Sequence, residues 1–299
     1  MKDSVIDDLQ SFYGRIAAGD IDRVLAMFSG VPSVNTPLDG QVKGEEGFRA
    51  FAAAQRQWLS ERKAHTGVKG TIITDERVVL ELTLHLELPG GAVAMPVALV
   101  ADVDGGKVAD LRVYHSTYPL TGNHMVRTPM LEPRGDLAEP PVIEEYMRGL
   151  AGGDARLVLA LFTPTGYIRE PSGEEFKHHG PEGLAEFYEP AFRSGGIPLK
   201  HCTATFDGKT FAVEFTIDRW GRTEFDTMAG MAIYQLTDDG RKIEAVRIYD
   251  DVTPPGPPAI MKTIPQKDRC LSCFCLVVCL VIGAYLPGRA RIPLSQSLA

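Results

Sequence analysis

Ile21-Asp22-Arg23-Val24-Leu25-Ala26-Met27-Phe28, introduced by Ala18-Gly19-Asp20, returns later as Ala155-Arg156-Leu157-Val158-Leu159-Ala160-Leu161-Phe162, introduced by Gly152-Gly153-Asp154. Two further segments recur in the same register. Leu80-Glu81-Leu82-Thr83-Leu84-His85 returns as Val213-Glu214-Phe215-Thr216-Ile217-Asp218, and Leu111-Arg112-Val113-Tyr114-His115 as Val246-Arg247-Ile248-Tyr249-Asp250. The shift is about 134 positions each time. Solenoid and propeller units repeat every 20 to 50 residues or so. A shift this large is instead a domain length, so the chain is a tandem duplication.

The boundaries follow. A first domain covers residues 1–126 and a linker 127–140, rich in proline at Pro133 and Pro140. A second domain covers 141–256, and a hydrophobic, Cys-rich tail, 257–299, lies outside the repeats. With 44% apolar and 23% charged residues, the 299-residue chain suits two globular cores. A formal net charge of −8 and the absence of any basic run with interleaved aromatics argue against nucleic-acid binding. Asp3, Asp7 and Asp8 stand where a signal peptide would carry positive charge, and Cys202 is the one cysteine within the repeats, which points to a reducing, cytoplasmic setting.

Each copy reads helices first and hairpins afterwards. Val5, Leu9, Phe12 and Ile16 form one stripe of a helix over residues 4 to 18. Gly19-Asp20 supplies a stop and an N-cap for a second helix, and Gly47 opens a third carrying Phe48, Phe51 and Trp58. Strands over 68–73, 77–88, 92–103 and 107–118 are separated by Asp75-Glu76, Pro89-Gly90-Gly91 and Asp104-Gly105-Gly106. This order predicts an α+β fold, with three helices packed on a curved antiparallel sheet in each copy.

Helix, Gly-Asp, helix ending in Leu-Phe, an acid-Pro-x-Gly turn, a third helix and a sheet ending in Arg-x-Tyr-Asp resemble the nuclear transport factor 2-like superfamily, with its SnoaL-like and ketosteroid isomerase-like members. The resemblance implies two tandem cone-shaped α+β barrels, each around an apolar pocket. It also implies acid–base chemistry of isomerase, cyclase, dehydratase or epoxide hydrolase type on a small apolar molecule, with no cofactor and no metal.

The second copy carries more of that family's chemistry. Tyr146 lies eight residues before Asp154, and Glu170-Pro171-Ser172-Gly173 follows the second helix. By resemblance, Tyr146 donates to a developing oxyanion and Glu170 is the general base, the pairing that proton abstraction beside a carbonyl requires. A second acidic oxyanion donor known from ketosteroid isomerases is missing, since its place falls near Ala232. Asp250 resembles the water-activating acid of limonene-type epoxide hydrolases, although the accompanying Arg-x-Asp is lacking. In the first copy, Phe12 and Thr36 replace Tyr146 and Glu170, so the acid–base pair is absent there. Tyr249, Glu214, Asp218, His201, Met228 and Phe187 are the expected ligand-binding residues.

The plainer readings are packing for Tyr146, a loop acid for Glu170 and a surface loop for His178-His179. For Glu81 and Glu214, which both copies share, the plainer reading is an ion pair with Arg112 and Arg247. A non-catalytic binding or dimerisation module is the alternative function. The uncharged stretch 270–286, flanked by Lys267, Arg269, Arg289 and Arg291, reads either as a membrane-contacting tail anchor or as a segment docking on a domain or on the partner of a homodimer. Cys270, Cys273 and Cys275 lie inside that apolar run without a nearby His, which argues against zinc.

Overall fold

The computed structural model describes residues 2–249. In the first copy, α1 (Lys2–Gln10), α2 (Phe12–Ala18) and α3 (Ile21–Ala26) precede a hairpin of β1 (Ser33–Thr36) and β2 (Gly40–Lys43). Helix α4 (Glu45–Glu61) follows, then β3 (His65–Ile73), β4 (Arg77–Leu88), β5 (Gly91–Asp104), β6 (Lys107–Tyr114) and the single turn α5 (Tyr118–Thr121). The second copy runs α6 (Pro141–Gly152), α7 (Ala155–Ala160), β7 (Phe162–Arg169), β8 (Lys177–His179), α8 (Gly180–Ala191), β9 (Lys200–Phe206), β10 (Thr210–Trp220), β11 (Thr223–Leu236) and β12 (Ile243–Ile248).

Each copy builds one six-stranded sheet, ordered β2-β1-β6-β5-β4-β3 and β8-β7-β12-β11-β10-β9. The α+β class holds, with helices packed against each sheet. One detail departs from the sequence reading: β1 pairs with β6, and β7 with β12, in parallel. The first strand of each copy reaches the last one by a long crossover rather than a hairpin, and such connections produce parallel pairs. The first helix is also divided at Ser11, although Val5, Leu9, Phe12 and Ile16 stay on one buried stripe.

The Gly-Asp signal acts as a helix stop in both copies, with Gly19 at φ 80° and Gly153 at φ 70°. A left-handed residue at this point costs a glycine nothing sterically. Asp154 then caps α7 by accepting from the Leu157 N–H at 2.9 Å, whereas Asp20 makes no such side-chain bond.

The long strands are buried on both faces, because two sets of residues alternate along them with the period of two that pleating imposes. On β4, Val78, Leu80, Leu82, Leu84 and Leu86 point into the first core. On β10, Phe211, Val213, Phe215 and Ile217 point into the second. The opposite faces meet each other. Ile72, Val79, Ala98, Val100 and Tyr114 of the first copy pack with Ala212, Met231, Ile233 and Tyr249 of the second in one shared cluster.

Inside this contact, two carboxylates are exchanged between the copies. Arg112 donates to Glu214 at 2.6 and 3.0 Å, and Arg247 donates to Glu81 at 2.5 and 2.7 Å. Tyr114 adds a bond to Glu214 at 2.8 Å and Tyr249 one to Glu81 at 2.5 Å. Both carboxylates are nearly inaccessible, at 2% and 3% exposure. A buried charge is tolerated only when paired and hydrogen-bonded, and these acids meet that condition across the duplication rather than within a copy.

A second compensation lies beside it. Arg169 stacks over Tyr249 at 4.5 Å and donates to the Ile248 carbonyl. In the first copy Asn35 occupies the corresponding strand position. The linker residue Arg127 fills the gap, stacking over Tyr114 at 4.4 Å and donating to the Val113 carbonyl and to Asn35 Oδ1. The linker is therefore a structural part of the sheet contact.

Candidate functional site in the second copy

The concave side of the second sheet encloses a cavity of about 160 Å³, while the equivalent space in the first copy is about 30 Å³. Size alone separates the copies. In the first, Phe12, Phe51, Trp58 and Leu84 crowd the space, leaving room for little more than a water molecule.

Three phenols stand in the wall of the larger cavity. α6 presents Tyr146, α8 presents Tyr188 and β11 presents Tyr234. The Tyr146 and Tyr188 hydroxyls are 2.8 Å apart, and the Tyr146 and Tyr234 rings meet edge to face at 5.3 Å. Burial pushes the Tyr146 hydroxyl up to about 12, while hydrogen bonds from Tyr188 and Tyr234 pull against that rise. Burial holds Tyr188 well above the ordinary range, and the charge of neighbouring Tyr146 adds to it. Tyr146 is thus the focus of the trio. Its hydroxyl shares a hydrogen bond with that of Tyr188 in which either group can donate.

Glu170, just past the end of β7, also lines the cavity together with Pro171. His178 on β8 reaches it, with Nε2 2.6 Å from Glu170 Oε1. An ionised carboxylate can only accept, so Nε2–H donates and the second oxygen is left for another partner. The His178 ring is packed on Phe187 of α8, centroids 5.1 Å apart, which fixes its orientation. The backbone holds the turn as well, since the Glu170 N–H donates to the Phe176 carbonyl at 3.0 Å.

Apolar groups complete the wall. Phe187, Phe215, Ile217 and Ile248 come from the second copy's helix and sheet, and Trp220 is fixed by an indole N–H bond to the Ala191 carbonyl at 2.6 Å. Ile197 enters from the loop after α8. A β-carbon on Gly196 would stand 2.1 Å from the Ala151 carbonyl oxygen, so only glycine lets this loop close on the end of α6. His124, from the first copy's trailing segment, reaches the same cavity.

Of the residues expected from sequence, Tyr146, Glu170 and Phe187 line this cavity. Met228 is buried in the same core without lining it. Glu214 and Tyr249 point to the opposite face of the sheet and bind the first copy. The alternation that places Phe215 and Ile217 inward necessarily turns Glu214 outward. Asp218 pairs with Lys200 near the end of β10, and His201 bonds Glu139 of the linker at 2.5 Å, both away from the cavity. Asp250 lies outside the described residues, as does the 270–286 tail. The sequence reading missed His178, which it took for a surface residue, and Tyr188, Tyr234 and His124. For His178 the available signal was its place after the acid-Pro-x-Gly turn, where a returning strand must pass the acid.

A SnoaL-like domain model matches residues 9–111 and again 143–245, more than half of the chain. The chain belongs to the SnoaL-like domain family. This tandem SnoaL-like protein is similar to several solved structures, each matching roughly one copy. Bal32a from a soil-derived mobile gene cassette is 21% identical, covering 38% of this chain and 89% of its own, with a TM-score of 0.32. RV0760c from Mycobacterium tuberculosis, solved in complex with estradiol-17beta-hemisuccinate, is 18% identical over 37% of this chain and 92% of its own, with a TM-score of 0.31. SalBIII, an epoxide hydrolase/cyclase-like enzyme in pyran ring formation in polyether salinomycin, is 15% identical over 38% and 92%, also at 0.31. Comparison with curated proteins gave no match.

Among the described residues, no group of three His, Cys, Asp or Glu side chains is placed to hold a metal ion, and no helix is long and apolar enough to cross a membrane.

Proposed function

We propose that the second copy is an acid–base enzyme domain acting on a small apolar molecule, with Glu170 as the proton-transferring base and Tyr146 as the hydrogen-bond donor to an oxygen that gains negative charge. The observation that carries this reading is that a buried phenol and a partly covered carboxylate line one largely apolar cavity. Enolisation of a ketone needs both groups at once. A carboxylate must accept the α-proton while a preorganised donor meets the developing enolate oxygen.

The geometry supports a division of labour. Tyr188 and Tyr234 orient Tyr146, and His178 orients Glu170. Apolar walls exclude water, which strengthens both interactions. Isomerisation, cyclisation, dehydration and epoxide opening all draw on this pair, and they differ in what the substrate's skeleton does after the proton moves.

The first copy supports a different role. Its cavity is nearly filled, it lacks the Tyr and Glu, and its outer sheet face is committed to Glu214 and Tyr249. It is a built-in partner that completes the catalytic copy.

The test uses the full chain and a panel of small apolar ketones and epoxides. Wild type and Glu170→Gln are expected to bind the same compound, with turnover only in the wild type. A Glu170→Gln protein that binds normally and keeps full turnover removes Glu170 as the base.

A further inference from the structure

The second copy does not close its own cavity. His124 follows α5 of the first copy, is solvent-exposed on one side and lines the cavity on the other, which places it at the mouth. We propose that the Tyr118–His124 segment is the outer wall of that cavity, and that His124 is a ligand-contacting residue selecting molecules with a second polar group at their outer end. The inference rests on reading the cavity as a ligand site.

Three observations converge on it. First, the segment has a fixed shape of its own. Thr117 Oγ1 and Thr121 Oγ1 both donate to the Asn123 carbonyl, at 2.8 and 3.1 Å, and Gly122 makes the turn at φ 70°. Second, it is seated on the turn that carries the acid. Tyr118 stacks on His124 at 4.8 Å, and its edge meets Phe176 at 5.7 Å. Phe176 in turn accepts the Glu170 N–H. Third, the first copy grips the same turn again. Lys69 of β3 and Lys177 of β8 both bind Glu174, whose carboxyl burial would raise but whose two ammonium partners hold it down at about 2.

The chemistry of the wall gives His124 its role. The phenols lie in the buried part of the cavity and His124 at the mouth, with Phe187, Ile217 and Trp220 among the apolar side chains of the wall. A ligand whose first oxygen meets Tyr146 therefore presents its far end to an imidazole, which both donates and accepts. A hydroxyl there gains a hydrogen bond with the ring, whereas a bare hydrocarbon end forgoes it.

Two measurements on the full chain test this. The protein has two tryptophans, so a Trp58→Phe background leaves Trp220 in the cavity wall as the sole emitter. His124→Ala and Tyr118→Ala are expected to raise acrylamide quenching of Trp220, while Val31→Ala on the exposed surface leaves it unchanged. In binding, wild type is expected to prefer 6-hydroxy-2-tetralone over 2-tetralone by about ten-fold, the scale of one good hydrogen bond. His124→Ala is expected to lose that preference and His124→Gln to keep part of it. Unchanged quenching in both variants, or an undiminished preference in His124→Ala, overturns the inference even if turnover that depends on Glu170, measurable as deuterium exchange beside the carbonyl of 2-tetralone, is found. Absence of that exchange in the wild type overturns the functional reading instead, and the quenching result still decides the wall.

Discussion

Arg112 and Glu214 belong to different copies of the duplication, yet they form a buried two-point contact at 2.6 and 3.0 Å, each residue only 2% exposed. Arg247 and Glu81 repeat it in the reverse sense. Removing one partner of such a pair strands the other as a buried charge, which costs about 3 to 5 kcal/mol. Arg112→Met is therefore expected to shift urea unfolding by that amount. The Arg112→Met/Glu214→Leu double variant should lose less than Arg112→Met alone, because no fully buried charge is left behind: Asp102 keeps Arg77, and Asp102 and Asp110 are both partly exposed. A double variant that unfolds more easily than the single one counts against a paired, desolvated contact.

The same contact sets an acid limit. Burial pushes the Glu214 carboxyl up, but the charge and hydrogen bonds of Arg112, with those of Thr203 and Tyr114, outweigh it and hold the group below the usual carboxylate range. Asp102, also bound by Arg112, is lowered for the same reasons. A depressed folded value stabilises the protein above the unfolded value, about 4.3 for Glu, and that contribution is lost as pH falls through the folded one. Melting temperature is thus expected to drop below about pH 4. Arg112→Met should flatten this dependence, and an equally steep profile in that variant places the acid sensitivity elsewhere.

In the proposed reaction Tyr146 is the donor, and burial holds its hydroxyl up to about 12, so it stays protonated throughout the neutral range. Tyr146→Phe is expected to lower turnover on the order of 10²- to 10³-fold, the usual cost of one oxyanion donor. Tyr188→Phe removes only an orienting bond and should cost less. Equal losses in both variants, with intact circular dichroism, indicate that the phenols act as packing.

The duplication, the helix order and the strand-rich second half of each copy were legible because hydrophobic periodicity and turn residues are local signals. The parallel β1–β6 pairing was not, since pairing between distant strands leaves no local mark. Site legibility divides the same way. Tyr146 and Glu170 stand out by their resemblance to the family's motif, whereas the outward turn of Glu214 depends on which face of β10 meets the other copy. Glu214 and Arg112 were readable as ionic partners, but their exchange between copies follows only from the two sheets meeting face to face. His124 was not legible, because its proposed role depends on the first copy's end lying over the second copy's cavity.

The central claim is that Glu170 moves a proton in an apolar cavity, and deuterium exchange tests it without knowledge of the natural substrate. 2-Tetralone in D₂O, followed by proton NMR, reports removal of hydrogen beside the carbonyl. The wild-type chain is expected to accelerate exchange, and Glu170→Gln to lose about 10²- to 10⁴-fold of that acceleration. Exchange at the buffer rate in the wild type, or at the wild-type rate in Glu170→Gln, contradicts the account.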